Sequence, residues 1–139
     1  MSADARQFVD EHEDEQLADL FDLLAQPSIS ATGEGVADCV ELVQQLCEGY
    51  GFDDAMRVET PGQPAVIARA GAAASVDDPS TIFVYGHYDV QPADPEEWTS
   101  PPFEPTIREG PDGRERAYAR GSGDNKGQWF SHLCAVRAL

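Results

Sequence analysis

A short run of apolar β-formers, Thr81-Ile82-Phe83-Val84, leads straight into Tyr85-Gly86-His87-Tyr88-Asp89-Val90-Gln91-Pro92. The apolar run reads as a buried strand. In open α/β sheets, ligands sit beyond the carboxyl ends of such strands. His87 and Asp89 are therefore where a metal or a substrate is expected. A strand-like backbone points both to one side, because alternate residues share a face. Asp89 can then accept the second ring N–H of His87, which fixes the tautomer and raises the basicity of the imidazole as a ligand. A further aspartate, Asp124, follows in Arg120-Gly121-Ser122-Gly123-Asp124-Asn125-Lys126-Gly127. It stands at a turn-to-helix junction, where glycines let the backbone bend sharply. Imidazole nitrogen and carboxylate oxygen are ligands of zinc and related hydrolytic metals. An aspartate has two oxygens with which to bridge two such ions.

Each part also has a plainer reading. A lone His-x-Asp is a weak signal, and Asp124 alone reads as an N-cap aspartate. Gly121-Ser122-Gly123 reads as a hinge. A phosphate cradle is the weaker reading, because the P-loop spacing is absent: Lys126 is followed by glycine and not by Ser or Thr. The segment also lacks the five-residue pattern of a nucleophile elbow. Trp129 and Phe130 read as core, His132 as a packing or surface residue, and His12 as a surface histidine within the acidic run Asp10–Glu15.

The periodicities give an α/β chain with helices packed on a mixed, twisted sheet. One helix is expected from about Ala3 to Ala25, with Leu17, Leu20, Phe21 and Leu24 as its apolar stripe. Pro27 ends it. A second helix is expected from about Glu34 to Tyr50, with Gly51 as its C′ residue. Phe52–Glu59 and Ala65–Ala70 are strand candidates, and Gly71–Asp78 is a small-residue, acidic loop. Gln91–Pro105 is proline-rich and extended, anchored by Trp98 and Phe103. Gly110-Pro111-Asp112-Gly113 is a turn signal between two short strands. A last helix starts near Asp124.

Charge narrows the function classes. The chain has 26 acidic residues against 9 basic ones, a formal net charge of −17. The acidic residues are dispersed, so they repel one another at low salt, a pattern that halophilic proteins tolerate. Nucleic acid is not an expected partner, because no basic patch exists to release counterions from phosphates. Cys39, Cys47 and Cys134 form no disulfide framework and are expected to be reduced, buried and apolar in role. No stretch of about 18 apolar residues is present to span a membrane, and the first residues lack the apolar core of a signal peptide. A cytoplasmic protein is expected.

Three segments together are far more specific than any one of them. Tyr85–Pro92, then Trp98-Thr-Ser-Pro-Pro-Phe-Glu-Pro105, then Tyr118–Gly127 resemble the co-catalytic zinc peptidases, which include carnosine-type dipeptidases, aminoacylases and deacylases of amino-acid biosynthesis. The Pro27-Ser28-Ile29-Ser30 connector and the first two helices also match the amino-terminal part of that family. Gln91 and the tyrosine between His87 and Asp89 resemble its dipeptidase branch. The resemblance implies that His87 binds one metal ion, that Asp124 bridges two, and that Asp89 orients His87 as a catalytic residue. It implies two zinc ions, with cobalt or manganese as alternatives, and a small peptide or N-acyl amino acid as substrate. It also implies a homodimer in the intact form. The family's general-base glutamate, its remaining ligands and its lid domain have no matching positions in residues 1–139. The expectation is therefore an incomplete catalytic domain, an inactive amino-terminal fragment of a hydrolase. Two alternatives stay open. Glu96, Glu97 or Glu104 could fill the site, or the chain could be a non-catalytic acidic module.

Overall fold

Pro27 sets the first boundary of the fold. The computed structural model describes residues 3–71, 77 and 80–139. Helix α2 (Glu13–Ala25) ends at Gln26, which is extended (φ −74, ψ 114), as a residue before proline is expected to be. The single expected helix is two. Helix α1 (Ala3–Glu11) stops at His12, whose φ of −115 and ψ of 15 leave the helical region. The Phe8 carbonyl accepts both the His12 N–H and, at 2.8 Å, its Nδ1–H, and the two rings stack with centroids 4.0 Å apart. The acidic side chains around His12 are exposed, as expected. Leu23 and Leu24 are fully buried, while Leu17 lies at the rim of the apolar stripe.

Helix α3 (Val36–Gly49) follows the connector and buries Val36, Cys39, Val40, Val43, Leu46 and Cys47. Gly51 then takes a φ of +89, the left-handed conformation that a helix C′ glycine adopts without a Cβ penalty. Strands β1 (Asp54–Val58) and β2 (Ala65–Arg69) pair antiparallel, with Met56 opposite Ile67. Ala55, Val66 and Ala68 turn toward α3 and its core. Met56, Val58 and Ile67 face away and are exposed. A short 3-10 turn (Pro95–Glu97) punctuates the proline-rich segment. Strands β3 (Thr106–Glu109) and β4 (Glu115–Tyr118) form the expected hairpin, with Gly113 at φ +76 in its turn. Arg108 lies over the Tyr118 ring at 4.2 Å, a cation–π contact.

Helix α4 (Lys126–Arg137) closes the core. Phe130 and Leu133 join Leu23, Cys39, Val43, Leu46, Cys47 and Tyr50 in one buried cluster. Cys39 and Cys47 are buried and Cys134 partly so; all three are free thiols. Desolvation pushes the Cys47 thiol up to about 11, so these cysteines behave as small apolar residues.

The α/β class is as expected, but the sheet is not one mixed sheet. Among the described residues there are two separate two-stranded antiparallel sheets. Among the described residues parallel pairing is confined to one bridge, Ile29 with Val90. The expected central strand is the cause. Residues 81–85 pair with no other segment, and Ile82 and Phe83 are 86% and 88% exposed. Apolar side chains define what burial would gain, but burial needs a neighbour on each face, and none of the described residues supplies one. The Gly71–Asp78 loop lies largely outside the described residues. No described helix is long and apolar enough to cross a membrane.

Candidate metal centre

His87 is clamped through its backbone. Its N–H donates to Asn125 Oδ1 at 3.0 Å, and its carbonyl accepts from Trp129 Nε1 at 3.1 Å. Both partners stand at the start of α4. Gly86 makes the approach feasible, since a Cβ there would lie 2.7 Å from Trp129 Cβ and 2.9 Å from Asn125 Oδ1. Neither role was read from the sequence. Trp129 belongs to the core as expected, but its indole N–H also finds the buried-end partner that such groups usually take.

The ring is held at both nitrogens. Nδ1 lies 3.1 Å from the Asp89 carbonyl oxygen and 3.2 Å from Asp89 Oδ1. Nε2 lies 3.0 Å from Asp124 Oδ1. The structure thus brings His87, Asp89 and Asp124 together, although Asp124 comes from a segment 37 residues later. Exposure grades outward, with His87 at 39%, Asp89 at 34% and Asp124 at 89%. The Asp124–Asn125 peptide bond is cis. The three side chains line a shallow pocket of about 180 Å³ with Val90, Gln91 and Arg120.

Acceptors on opposite ring nitrogens favour the doubly protonated imidazole. Burial is the largest single influence on His87 and pulls its pKa down. The hydrogen bonds to Asp89 and Asp124 and their charges outweigh it and raise the pKa above the ordinary histidine value. A raised folded pKa contributes stability at pH below the unfolded value, and that contribution is lost as pH rises through the folded value. In the metal-free chain, proton NMR titration of His87 is expected to give a midpoint above about 6.5. A midpoint below 6.5 would contradict the double clamp.

The donors suit a hydrolytic metal ion, as one nitrogen and one carboxylate oxygen meet at the pocket. Asp89 lies behind the ring and supports it. Among the described residues no group of three or more His, Cys, Asp or Glu side chains forms an ion cage. The pocket therefore offers fewer than the three protein ligands normal for catalytic zinc. Glu96, Glu97 and Glu104 do not complete it, because they are exposed and line none of the pocket. His132 is exposed, and it too lies outside the pocket.

Residues 83–139 match the family model of peptidase family M20/M25/M40. In the solved structures, an M20 family metallo-carboxypeptidase from Sulfolobus solfataricus superposes with a TM-score of 0.77 at 40% identity. That match covers 90% of this chain and 27% of that one. In sequence over residues 83–139 and in fold, the chain is similar to the M20 peptidases. A deformylase of N-formyl-4-amino-5-aminomethyl-2-methylpyrimidine from Halalkalibacterium halodurans is 32% identical, over 94% of this chain and 30% of its own length. The Cys-Gly metallodipeptidase dug1 of Schizosaccharomyces pombe is 28% identical, over 94% of this chain and 29% of its own length. The chain thus spans less than a third of the length of these relatives.

Proposed function

We propose that residues 1–139 form the amino-terminal part of a metal-dependent, dipeptidase-like hydrolase that cleaves an amide bond in a small peptide or an N-acyl amino acid. The observation that carries this reading is the meeting of His87 Nε2 and Asp124 Oδ1 at 3.0 Å, with Asp89 behind the ring. In this reading His87 would hold one ion and Asp124 would be shared between that ion and a second. Asp89 keeps the ring oriented and its Nδ1 occupied, so that Nε2 is presented to the pocket. Two divalent ions, when bound, lower the pKa of water and polarise the scissile carbonyl. Zinc fits the imidazole and carboxylate donors, and cobalt or manganese fit the same set. Residues beyond those in this chain supply the general base, the remaining ligands, and the lid through which the intact protein dimerises. The relatives support the bond class: the deformylase and the dipeptidase by their names break a C–N bond to an acyl carbon. The three free thiols support a reducing, cytoplasmic setting, and the −17 charge supports adaptation to salt.

The test uses the full-length polypeptide that carries these residues. Chelation is expected to stop hydrolysis of dipeptides and N-acyl amino acids, and zinc, cobalt or manganese to restore it. No hydrolysis of either substrate class with any of the three ions would overturn the proposal.

A further inference from the structure

Ser28 and Lys126 are polar side chains with no exposed surface, and neither lines the pocket. Lys126 is the one lysine beside eight arginines. Its Nζ donates to Leu23 O at 3.0 Å and to Gln26 O at 2.7 Å. These are carbonyls at the end of α2, where intrahelical partners run out. The i+4 partner of Leu23 would be the N–H of residue 27, and that residue is proline, which has none. A long unbranched stem ending in a compact amine reaches two carbonyls in a closed space. A planar guanidinium has neither shape. The stem also packs beside Gly121, where a Cβ would stand 3.3 Å from Lys126 Cδ and 3.0 Å from Val90 Cγ1.

Ser28 works on the other side of the same connector. Its Oγ–H donates to the Tyr88 carbonyl at 2.7 Å, between His87 and Asp89. The Ser28 carbonyl accepts from Val90 N–H at 2.9 Å, and Ser30 N–H donates to Val90 O at 3.4 Å. Residues 26–30 therefore hold both walls of the pocket. Through Lys126 they grip the chain two residues after Asp124, and through Ser28 and Ser30 they grip Tyr88 and Val90, on either side of Asp89.

We propose that Ser28 and Lys126 are positioning residues of the metal centre, which tie the His87–Asp89 wall and the Asp124 wall to one anchor at the end of α2 and so set the His87–Asp124 separation. This rests on the reading of His87 and Asp124 as metal ligands given above.

The His87 N–H donates to Asn125 Oδ1, so its hydrogen exchange gauges the docking of the two walls without any metal. Ser28→Ala is expected to lower His87 amide protection by about tenfold, the effect of one hydrogen bond, and Lys126→Met, which removes two, by at least as much. Amides of α3 such as Val43 and Cys47 should keep theirs. If Lys126→Met does not fold, Ser28→Ala, which removes one hydroxyl, decides. Unchanged His87 protection in the folded variants, or an equal loss throughout α3 in Ser28→Ala, would overturn the proposal. Manganese line broadening separates this inference from the metal reading. In the full-length polypeptide the His87, Asp89 and Asp124 amides should broaden together, and in its variants Asp124 should fall behind His87. No broadening in the wild type would sink the metal reading and leave the exchange result to decide the anchor.

Discussion

Asp124→Asn is expected to leave the protein folded and to remove the hydrolysis proposed for the full-length polypeptide. The side chain is 89% exposed, and a surface substitution of this kind changes stability by within about 0.5 kcal/mol. Among the described residues its side-chain hydrogen bond is with the His87 ring, at 3.0 Å. An amide keeps the shape but loses the negative charge and one of the two oxygens that bridging needs. A carboxylate that merely supports a metal-bound histidine is worth roughly 10–100-fold. A bridging carboxylate acts on the ions themselves, so the expected loss in kcat/KM of the full-length protein is at least about 100-fold, with the melting temperature unchanged. Asp89→Asn should fall within that 10–100-fold range. Activity within a factor of three of wild type for Asp124→Asn would remove Asp124 from the site.

Leu23→Ala gives the largest expected change in stability. Leu23 is fully buried and sits in the cluster of α2, α3 and α4 side chains with Cys39, Tyr50 and Phe130. Truncating a buried leucine removes transfer energy and leaves a cavity, together about 2–5 kcal/mol. A domain of this size has only about 5–15 kcal/mol in total. Urea unfolding should show a lower midpoint with an unchanged slope. A change below about 1 kcal/mol would mean that this cluster is not the core on which the structure depends.

Local patterns in the chain carried much of the fold. The α3 stripe, the Gly110–Gly113 turn and the α4 start are settled by neighbours within a few residues, so they were legible. The break at His12 was not. It depends on one carbonyl, Phe8 O, taking both a backbone and a ring N–H, and no hydrophobic period records that choice. The site divides in the same way. His87, Asp89 and Asp124 carry distinctive chemistry, and their types and flanking glycines singled them out. Asn125, Trp129, Ser28 and Lys126 act through bonds to residues 38, 42, 60 and about 100 positions away. Only the fold discloses such pairs. The strand expected at residues 81–84 failed for a related reason: a sequence shows that a segment would suit burial, not what would cover it.

That uncovered segment matters for handling the chain. Ile82, Phe83, Val84 and Tyr85 form an apolar, uncharged, exposed stretch that pairs with no strand among the described residues. Such a stretch is a template for strand addition by another molecule. What keeps two copies apart is the net charge of −17. That barrier reaches only as far as salt allows, about 10 Å at 0.1 M and about 3 Å at 1 M. Salt should therefore act in two opposed ways on residues 1–139. It relieves crowding among the carboxylates and raises the melting temperature, and it also lets exposed strands meet. Light scattering at rising potassium chloride should show self-association growing as the melting temperature climbs, and Phe83→Lys should suppress the association alone. Monodisperse chains at 2 M salt would mean that Ile82–Tyr85 is not the sticky edge.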